Sequence, residues 1–104
     1  MVIRFEKKYL EELYYHSKCS DKKHRYQPQL VRNYVRRIIT LAEAPSVESL
    51  YQMNSLRYEV LGGDKKGVSS IRIDRQYRLE FTISIESEPL VTICSIADIS
   101  NHYR

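Results

Sequence analysis

The chain has 104 residues, a formal net charge of +4 and a pI near 9.1. This length fits one domain over residues 1–104 and is too short for two. Its two cysteines form no C-x-x-C pair, which excludes a disulfide framework and gives no zinc motif. No stretch has the length and apolarity of a transmembrane helix, and the first residues lack the apolar run of a signal peptide. We therefore expect a cytoplasmic protein without membrane contact.

The positive charge is concentrated in two segments. Residues 18–37 carry seven Lys or Arg against one acid, and residues 65–78 carry five against one acid. Such patches attract polyanions, such as nucleic acid, or an acidic protein partner. A solvated basic face without a partner is the alternative that charge alone leaves open.

The first half of the chain predicts one strand followed by a helical hairpin. Residues 2–5 are short, apolar and partly β-branched, which is typical of a strand. The first helix follows from apolar residues at helical spacing, namely Tyr9, Leu10, Leu13 and Tyr14. The second helix begins at Pro28, because proline is favoured in the first turn, and ends before Pro45. Its predicted apolar stripe comprises Val31, Tyr34, Val35, Ile38, Ile39 and Ala42. Residues 46–53 predict one further short helical turn.

The second half predicts a meander of strands. Polar and apolar residues alternate over 57–61, 68–74 and 77–85, and residues 90–97 form an apolar run typical of a strand buried on both faces. A strand and two helices followed by several strands indicate an α+β fold. We expect the helical hairpin to pack on one face of a four- to five-stranded antiparallel sheet.

The alternation also predicts how two of these strands pair. The side chains that would face the core are Ile71, Ile73, Tyr77 and Leu79. Arg72 then lies opposite Arg78 on the polar face, across a three-residue loop. Opposed like charges repel, and a bridging anion, either a carboxylate or a phosphate, relieves that cost. The pair therefore predicts an anion site, with pairing to Glu80 or Asp74 as the structural alternative.

Further candidate groups flank this pair. Lys65 and Lys66 lie in a glycine-bounded turn, which is either a mobile cationic loop at the site or simply solvated. His102 is a candidate general acid or base next to Tyr103, unless this terminus is only a frayed polar tail. No metalloprotease, P-loop, dinucleotide-binding or nucleophile-elbow motif is present, so we expect no cofactor and no metal.

Three segments of the meander resemble a known pattern. LGGDKKG at 61–67, SIRI at 70–73 and QYRLEF at 76–81 resemble the L-x-G-D-x-x-G, S-I-R-V and Q-Y/W-R-I-x-F series of HigB-like toxins in the RelE/ParE superfamily. The ending ISNHY at 99–103 is similar to the His-Tyr ending of one branch. The resemblance implies a RelE-like fold and a type II toxin that cleaves mRNA on the ribosome without a metal. It also implies a helix-turn-helix antitoxin of the HigA type, in a toxin–antitoxin hetero-oligomer.

The same resemblance implies roles for particular residues. Arg72 and Arg78 would hold the scissile phosphate, and His102, assisted by Tyr103, would transfer a proton. Glu59 stands where many relatives carry a histidine and would act as a base or simply face water. The candidates for RNA binding are Lys65, Lys66, Arg75 and Arg57. Two other functions stay open: a ParE-like inhibitor of DNA gyrase, and a non-catalytic binding module.

Overall fold

The structure, a computed structural model, describes residues 1–101. Its strands are β1 (Val2–Phe5), β2 (Glu59–Val60), β3 (Ser69–Arg72), β4 (Tyr77–Ser87) and β5 (Leu90–Asn101). Its two α-helices are α1 (Lys8–His16) and α2 (Pro28–Glu43). Short 3₁₀ turns occupy Lys22–His24, Glu48–Gln52, Asn54–Leu56 and Gly63–Lys65. His102 and Tyr103, two of the predicted catalytic residues, lie outside the described residues.

The helices pack on one face of a single five-stranded sheet with the order β1-β5-β4-β3-β2. This confirms the predicted α+β architecture. The sheet is mixed, however, because β1 runs parallel to β5 while the three other neighbouring pairs are antiparallel. The short apolar run of residues 2–5 predicted the strand but not its direction, because its partner β5 is the last strand in the chain.

The helix α2 begins at Pro28, as predicted. Its buried stripe differs at the C-terminal end from the predicted one, because Leu41 is buried whereas Ile39 is 41% exposed and Ala42 is exposed. The buried residues Val31, Tyr34, Ile38 and Leu41 are spaced by three or four, so they stay on one side of a 3.6-residue helix. The predicted short helical turn corresponds to the 3₁₀ turn Glu48–Gln52.

The predicted pairing of β3 with β4 is confirmed. Arg72 lies opposite Arg78, and the Ile73 N–H donates to the Tyr77 carbonyl at 3.0 Å to close the hairpin. The predicted strand over 57–61 shortens to Glu59–Val60. Arg57 ends the preceding 3₁₀ turn in the left-handed conformation with φ of 49°, so it cannot join the ladder.

The strand β5 is longer than predicted and is buried only in part. Ile93, Cys94 and Ile96 are buried between β1 and β4, whereas Leu90 is 77% exposed at the tip of the β4–β5 hairpin, which extends beyond β1 and β3. The prediction of burial on both faces is therefore wrong for the first residues of the run. A shift in pairing occurs between Glu80 and Phe81, so β5 carries a bulge on its way to Asn101.

The core lies between the two helices and the sheet, with Leu10, Tyr34 and Phe81 fully buried. In the part of the chain that the structure describes, no buried side-chain nitrogen or oxygen lacks a hydrogen-bond partner. None of the helices within residues 1–101 is both long and apolar enough to span a membrane.

Candidate anion-binding cleft

A cleft of about 470 Å³ opens at the end of β3 and β4 where Arg72 and Arg78 lie side by side. Four arginines and two carboxylates line it: Arg57, Arg72, Arg75, Arg78, Glu59 and Asp74. The hairpin loop supplies Asp74 and Arg75, β2 supplies Glu59, and the turn before β2 supplies Arg57. Five of the predicted site residues thus line one cleft.

Arg78 is the buried member of the arginine pair, with only 7% of its surface exposed. Its Nε donates to the Ser70 Oγ at 2.8 Å, and its Nη2 donates to the Arg57 carbonyl. Glu59 Oε1 lies 3.5 Å from Nε. Burial lowers the pKa of Arg78, while the charge of Glu59 opposes this effect. The side chain therefore reaches diagonally across β3 to partners of its own.

Arg78 is therefore not on the open polar face that the alternation predicted. The structural alternative, an ion pair with Glu80 or Asp74, does not form at Arg78 either. The carboxylate next to Arg78 is Glu59. Glu80 accepts from Lys65, and Asp74 Oδ1 accepts the N–H groups of Gln76 and Tyr77, which fixes the hairpin loop. Glu59 thus offsets part of the charge of Arg78 from within the chain, while the charge of Arg72 still acts against it.

Arg72 is the more accessible member of the pair. It is half-buried, and its Nε donates to the Asp74 carbonyl at 3.1 Å. In residues 1–101 its terminal guanidinium nitrogens make no hydrogen bond or ion pair. A planar guanidinium with free terminal N–H groups is suited to bidentate binding of a phosphate or carboxylate. Arg72 therefore offers the cleft its best-presented anion-binding group.

The two lysines of the glycine-bounded turn differ. Lys65 Nζ lies 2.7 Å from Glu80 Oε2. The two residues line a smaller cavity of about 370 Å³ together with Glu59, Arg78 and Asn101. Lys66 is exposed and lines none of the cavities described here. The glycines serve the turn itself, because Gly63 and Gly67 have φ of +60° and +90° and no atom lies within 4 Å of an added Cβ.

Of the three proton-transfer candidates, Glu59 is the one that lies within the described residues. Glu59 lines both cavities and half of its side chain is exposed, so its carboxylate is accessible to a ligand. His102 and Tyr103 lie beyond the described residues. The last described residue, Asn101, lines the smaller cavity of about 370 Å³. No three His, Cys, Asp or Glu side chains of residues 1–101 come together in a way that could hold a metal ion.

Two site residues were not predicted as such. Glu80 is buried beside Arg78, and Arg37 of α2 donates from Nε to the Arg72 carbonyl at 2.7 Å. Arg37 belongs to the basic segment 18–37, which by itself predicts no contact with Arg72. No local pattern could have placed it at the cleft, because 35 residues separate it from Arg72.

Comparison with known proteins places the chain in a family. The model of the HigB-like toxins, described as "RelE-like toxin of type II toxin-antitoxin system HigB", matches residues 3–93. The chain belongs to this family. It is therefore a type II toxin, with an antitoxin as its partner. The match includes every lining residue of the first cleft and ends before His102 and Tyr103.

Individual relatives support the assignment. Toxin HigB-1 of Vibrio cholerae serotype O1 is 37% identical over 82 residues, which is 78% of this chain and 82% of the relative. The YoeB/ParE toxin from Agrobacterium tumefaciens superimposes with a TM-score of 0.63 at 16% identity, over 99% of this chain and 100% of that one. A chain of the YoeB-YefM complex from Staphylococcus aureus gives 0.57 at 19% identity, over 99% and 98%. At these identities the two structures show the shared fold alone.

Within this HigB-like toxin, Lys65→Ala should be destabilising whereas Lys66→Ala should not. The first change leaves the buried Glu80 without its cation, which should cost about 1 kcal/mol and lower Tm by roughly 4–8 °C. The second change removes an equal charge from an exposed side chain in the same turn. Thermal unfolding followed by circular dichroism measures both. Equal Tm values for the two variants would show that the contact with Glu80 contributes nothing.

Proposed function

We propose that this toxin is an endoribonuclease that cuts mRNA on the ribosome, at a phosphodiester bound in the cleft of Arg72 and Arg78. The observation that carries the proposal is the cleft itself, in which four arginines surround the accessible carboxylate of Glu59. The planar guanidinium of arginine can donate two hydrogen bonds to the oxygens of a phosphodiester. A carboxylate next to that phosphodiester can accept a proton. The family assignment supports a toxin, and the position of its site is proposed from the cleft alone.

The proposed step is attack by the RNA's own 2′-hydroxyl oxygen on the adjacent phosphorus. The 2′-hydroxyl proton passes to the base, for which Glu59 is the described candidate. The bond from phosphorus to the leaving 5′-oxygen then breaks, and that oxygen takes a proton from the acid, for which we propose His102 assisted by Tyr103. The products are a 2′,3′-cyclic phosphate and a 5′-hydroxyl end, so no electrons, water or cofactor enter the step.

The arginines supply what the transition state requires. Negative charge grows on the non-bridging oxygens as phosphorus becomes five-coordinate, and donors held in place before reaction stabilise that charge most effectively. Arg78 is held by Ser70 and Arg57, and Arg72 is held by the Asp74 carbonyl. The proposed step therefore uses the cations of the chain itself and no metal ion.

The remaining partners follow from this activity. Lys65, Lys66, Arg57 and Arg75 lie on or near the cleft, and we propose that they contact mRNA or ribosomal RNA. A helix-turn-helix antitoxin of the HigA type would neutralise the toxin in a hetero-oligomer. Because ribosomes are the site of action, the proposed location is the cytoplasm.

Induced expression of the wild-type toxin tests the proposal. Primer extension should find new 5′ ends inside translated reading frames, and they should disappear when translation initiation is blocked. On purified ribosomes programmed with a defined mRNA, a single 2′-deoxy substitution at the cleaved position should abolish cutting there, with all other positions unaffected. Growth inhibition with intact mRNA and double-strand DNA breaks would instead favour gyrase inhibition. Harmless expression would favour a non-catalytic module.

A further inference from the structure

The cleft at Arg72 does not end at the arginine pair. A second cleft of about 540 Å³ continues around the end of β3 toward α2. It shares Arg57, Arg72, Asp74 and Arg75 with the first cleft. The residues it adds are Asn33, Arg37, Asn54, Ser55 and Ile73. The two clefts therefore form one continuous groove, with Arg72 where they meet.

Arg37 is held in place at the far side of this groove. Its Nε donates to the Arg72 carbonyl at 2.7 Å, which orients the guanidinium plane. Within residues 1–101 its terminal nitrogens have no hydrogen-bond or ion-pair partner. The group is half-buried, and burial lowers the pKa of Arg37, with the charges of Arg72 and Arg36 adding to the effect. Arginine nevertheless remains protonated in proteins.

The cations of the second cleft have no acidic partner of their own. Among the described residues, none of Arg37, Arg57, Arg72 and Arg75 forms an ion pair with a carboxylate. Asp74 is the acid in the lining, and its Oδ1 is engaged by the N–H groups of Gln76 and Tyr77. Crowding uncompensated cations in a partly buried groove costs energy, and a bound anion removes that cost.

We propose that the second cleft is a subsite for a neighbouring phosphate of the bound RNA strand, with Arg37 as its principal anion-binding residue. This inference rests on the proposed function, since it takes the scissile phosphate to lie at Arg72 and Arg78. The amides of Asn33 and Asn54 and the hydroxyl of Ser55 offer hydrogen bonds to a sugar or base edge. A backbone phosphodiester from ribosomal RNA has the same chemistry, but continuity through Arg72 favours the substrate strand.

NMR titration with uncleavable RNA tests the subsite without requiring activity. The two ligands are a 2′-O-methyl dinucleotide with one phosphate and a 2′-O-methyl trinucleotide with two. We expect wild-type toxin to bind the trinucleotide about tenfold more tightly, because a second charge-assisted contact forms. The Arg37 Nε–H signal should shift with the trinucleotide and stay in place with the dinucleotide. Arg37→Gln should lose most of the tenfold gain and weaken dinucleotide binding much less than trinucleotide binding.

Arg32→Gln is the matched control. It removes one positive charge from the same helix. Arg32 is exposed, its Nη2 donates a hydrogen bond to Gln29 Oε1 at 2.7 Å, and it lines neither cleft. It should retain the full gain. Salt dependence gives a second readout: the slope of log affinity against log salt for the trinucleotide should fall by about 0.7 in Arg37→Gln, as expected for one lost phosphate contact on a single strand.

Several results would overturn the subsite. An unchanged gain in Arg37→Gln, an equal loss on both ligands, or no binding of either ligand by wild-type toxin at low salt would each do so. If Arg37→Gln bound both ligands like the wild type but bound ribosomes more weakly, the phosphate at Arg37 would belong to ribosomal RNA, and the subsite for the substrate strand would be overturned. A wild-type toxin that shows the tenfold gain but never cuts mRNA would leave the subsite standing and overturn the proposed reaction.

Discussion

Arg72→Ala should abolish growth inhibition while leaving the toxin almost as stable as the wild type. Among residues 1–101 the half-buried side chain makes one hydrogen bond, from Nε to the Asp74 carbonyl, so its loss should cost about 0.5–1 kcal/mol. The bond from Arg37 survives, because it ends on the backbone carbonyl of residue 72. Removing a positioned donor from a phosphoryl transition state should reduce cleavage by about 10²–10³-fold. Cleavage on purified ribosomes and thermal unfolding measure the two effects separately.

Arg78→Ala should lose both stability and activity. It leaves the Arg57 carbonyl and the Ser70 hydroxyl without their donor and Glu59 without its cation. We expect a loss of about 2–3 kcal/mol and a Tm lower by roughly 10–20 °C. Arg72→Lys is the companion variant at the accessible position: it keeps the charge but not the planar fork, and should retain only part of the activity. Equal Tm values for Arg72→Ala and Arg78→Ala would contradict the asymmetry described above.

That asymmetry marks the limit of what the sequence could predict about the site. Alternation along residues 70–79 was enough to pair Arg72 with Arg78, because a strand has a period of two and a short loop sets the register. How far each arginine is buried depends on which other segments of the chain cover the ends of β3 and β4. Arg78 is covered by the segment carrying Arg57 and Glu59, whose left-handed turn no local pattern indicated.

The same distinction applies to the rest of the fold. Pro28 and the 3.6-residue spacing gave α2, and the direction of β1 could not follow from its four residues because its partner lies about 90 residues along the chain. Lys65 appeared to be a mobile cation because its partner, Glu80, lies on another strand. Elements set by local periodicity were predicted well, whereas contacts between distant segments were missed, including the approach of Arg37 to Arg72.

Tyr9→Phe should impair growth inhibition, although Tyr9 lies on α1 and lines none of the clefts described above. Its hydroxyl donates to Asp98 Oδ1 and accepts the N–H of Ile99 at 3.2 Å. These partners lie between the bulge of β5 and Ser100, which pairs with Arg78. The contact therefore fixes the end of β5 against α1, at the point where Ser100 and Asn101 line the smaller cavity beside Arg78.

Tyr34→Phe provides the matched control for this variant. The Tyr34 hydroxyl is also buried and donates to the Leu10 carbonyl at 2.7 Å, within the helical layer. Each change removes one tyrosine hydroxyl, so both should cost about 1–2 kcal/mol in the free energy of unfolding. Only Tyr9→Phe should also increase hydrogen exchange at Ile99 and Asn101 and reduce mRNA cleavage, because only it releases the end of β5. If the two variants lost cleavage equally, the effect would follow from stability alone, and the end of β5 would have no separate part in the site.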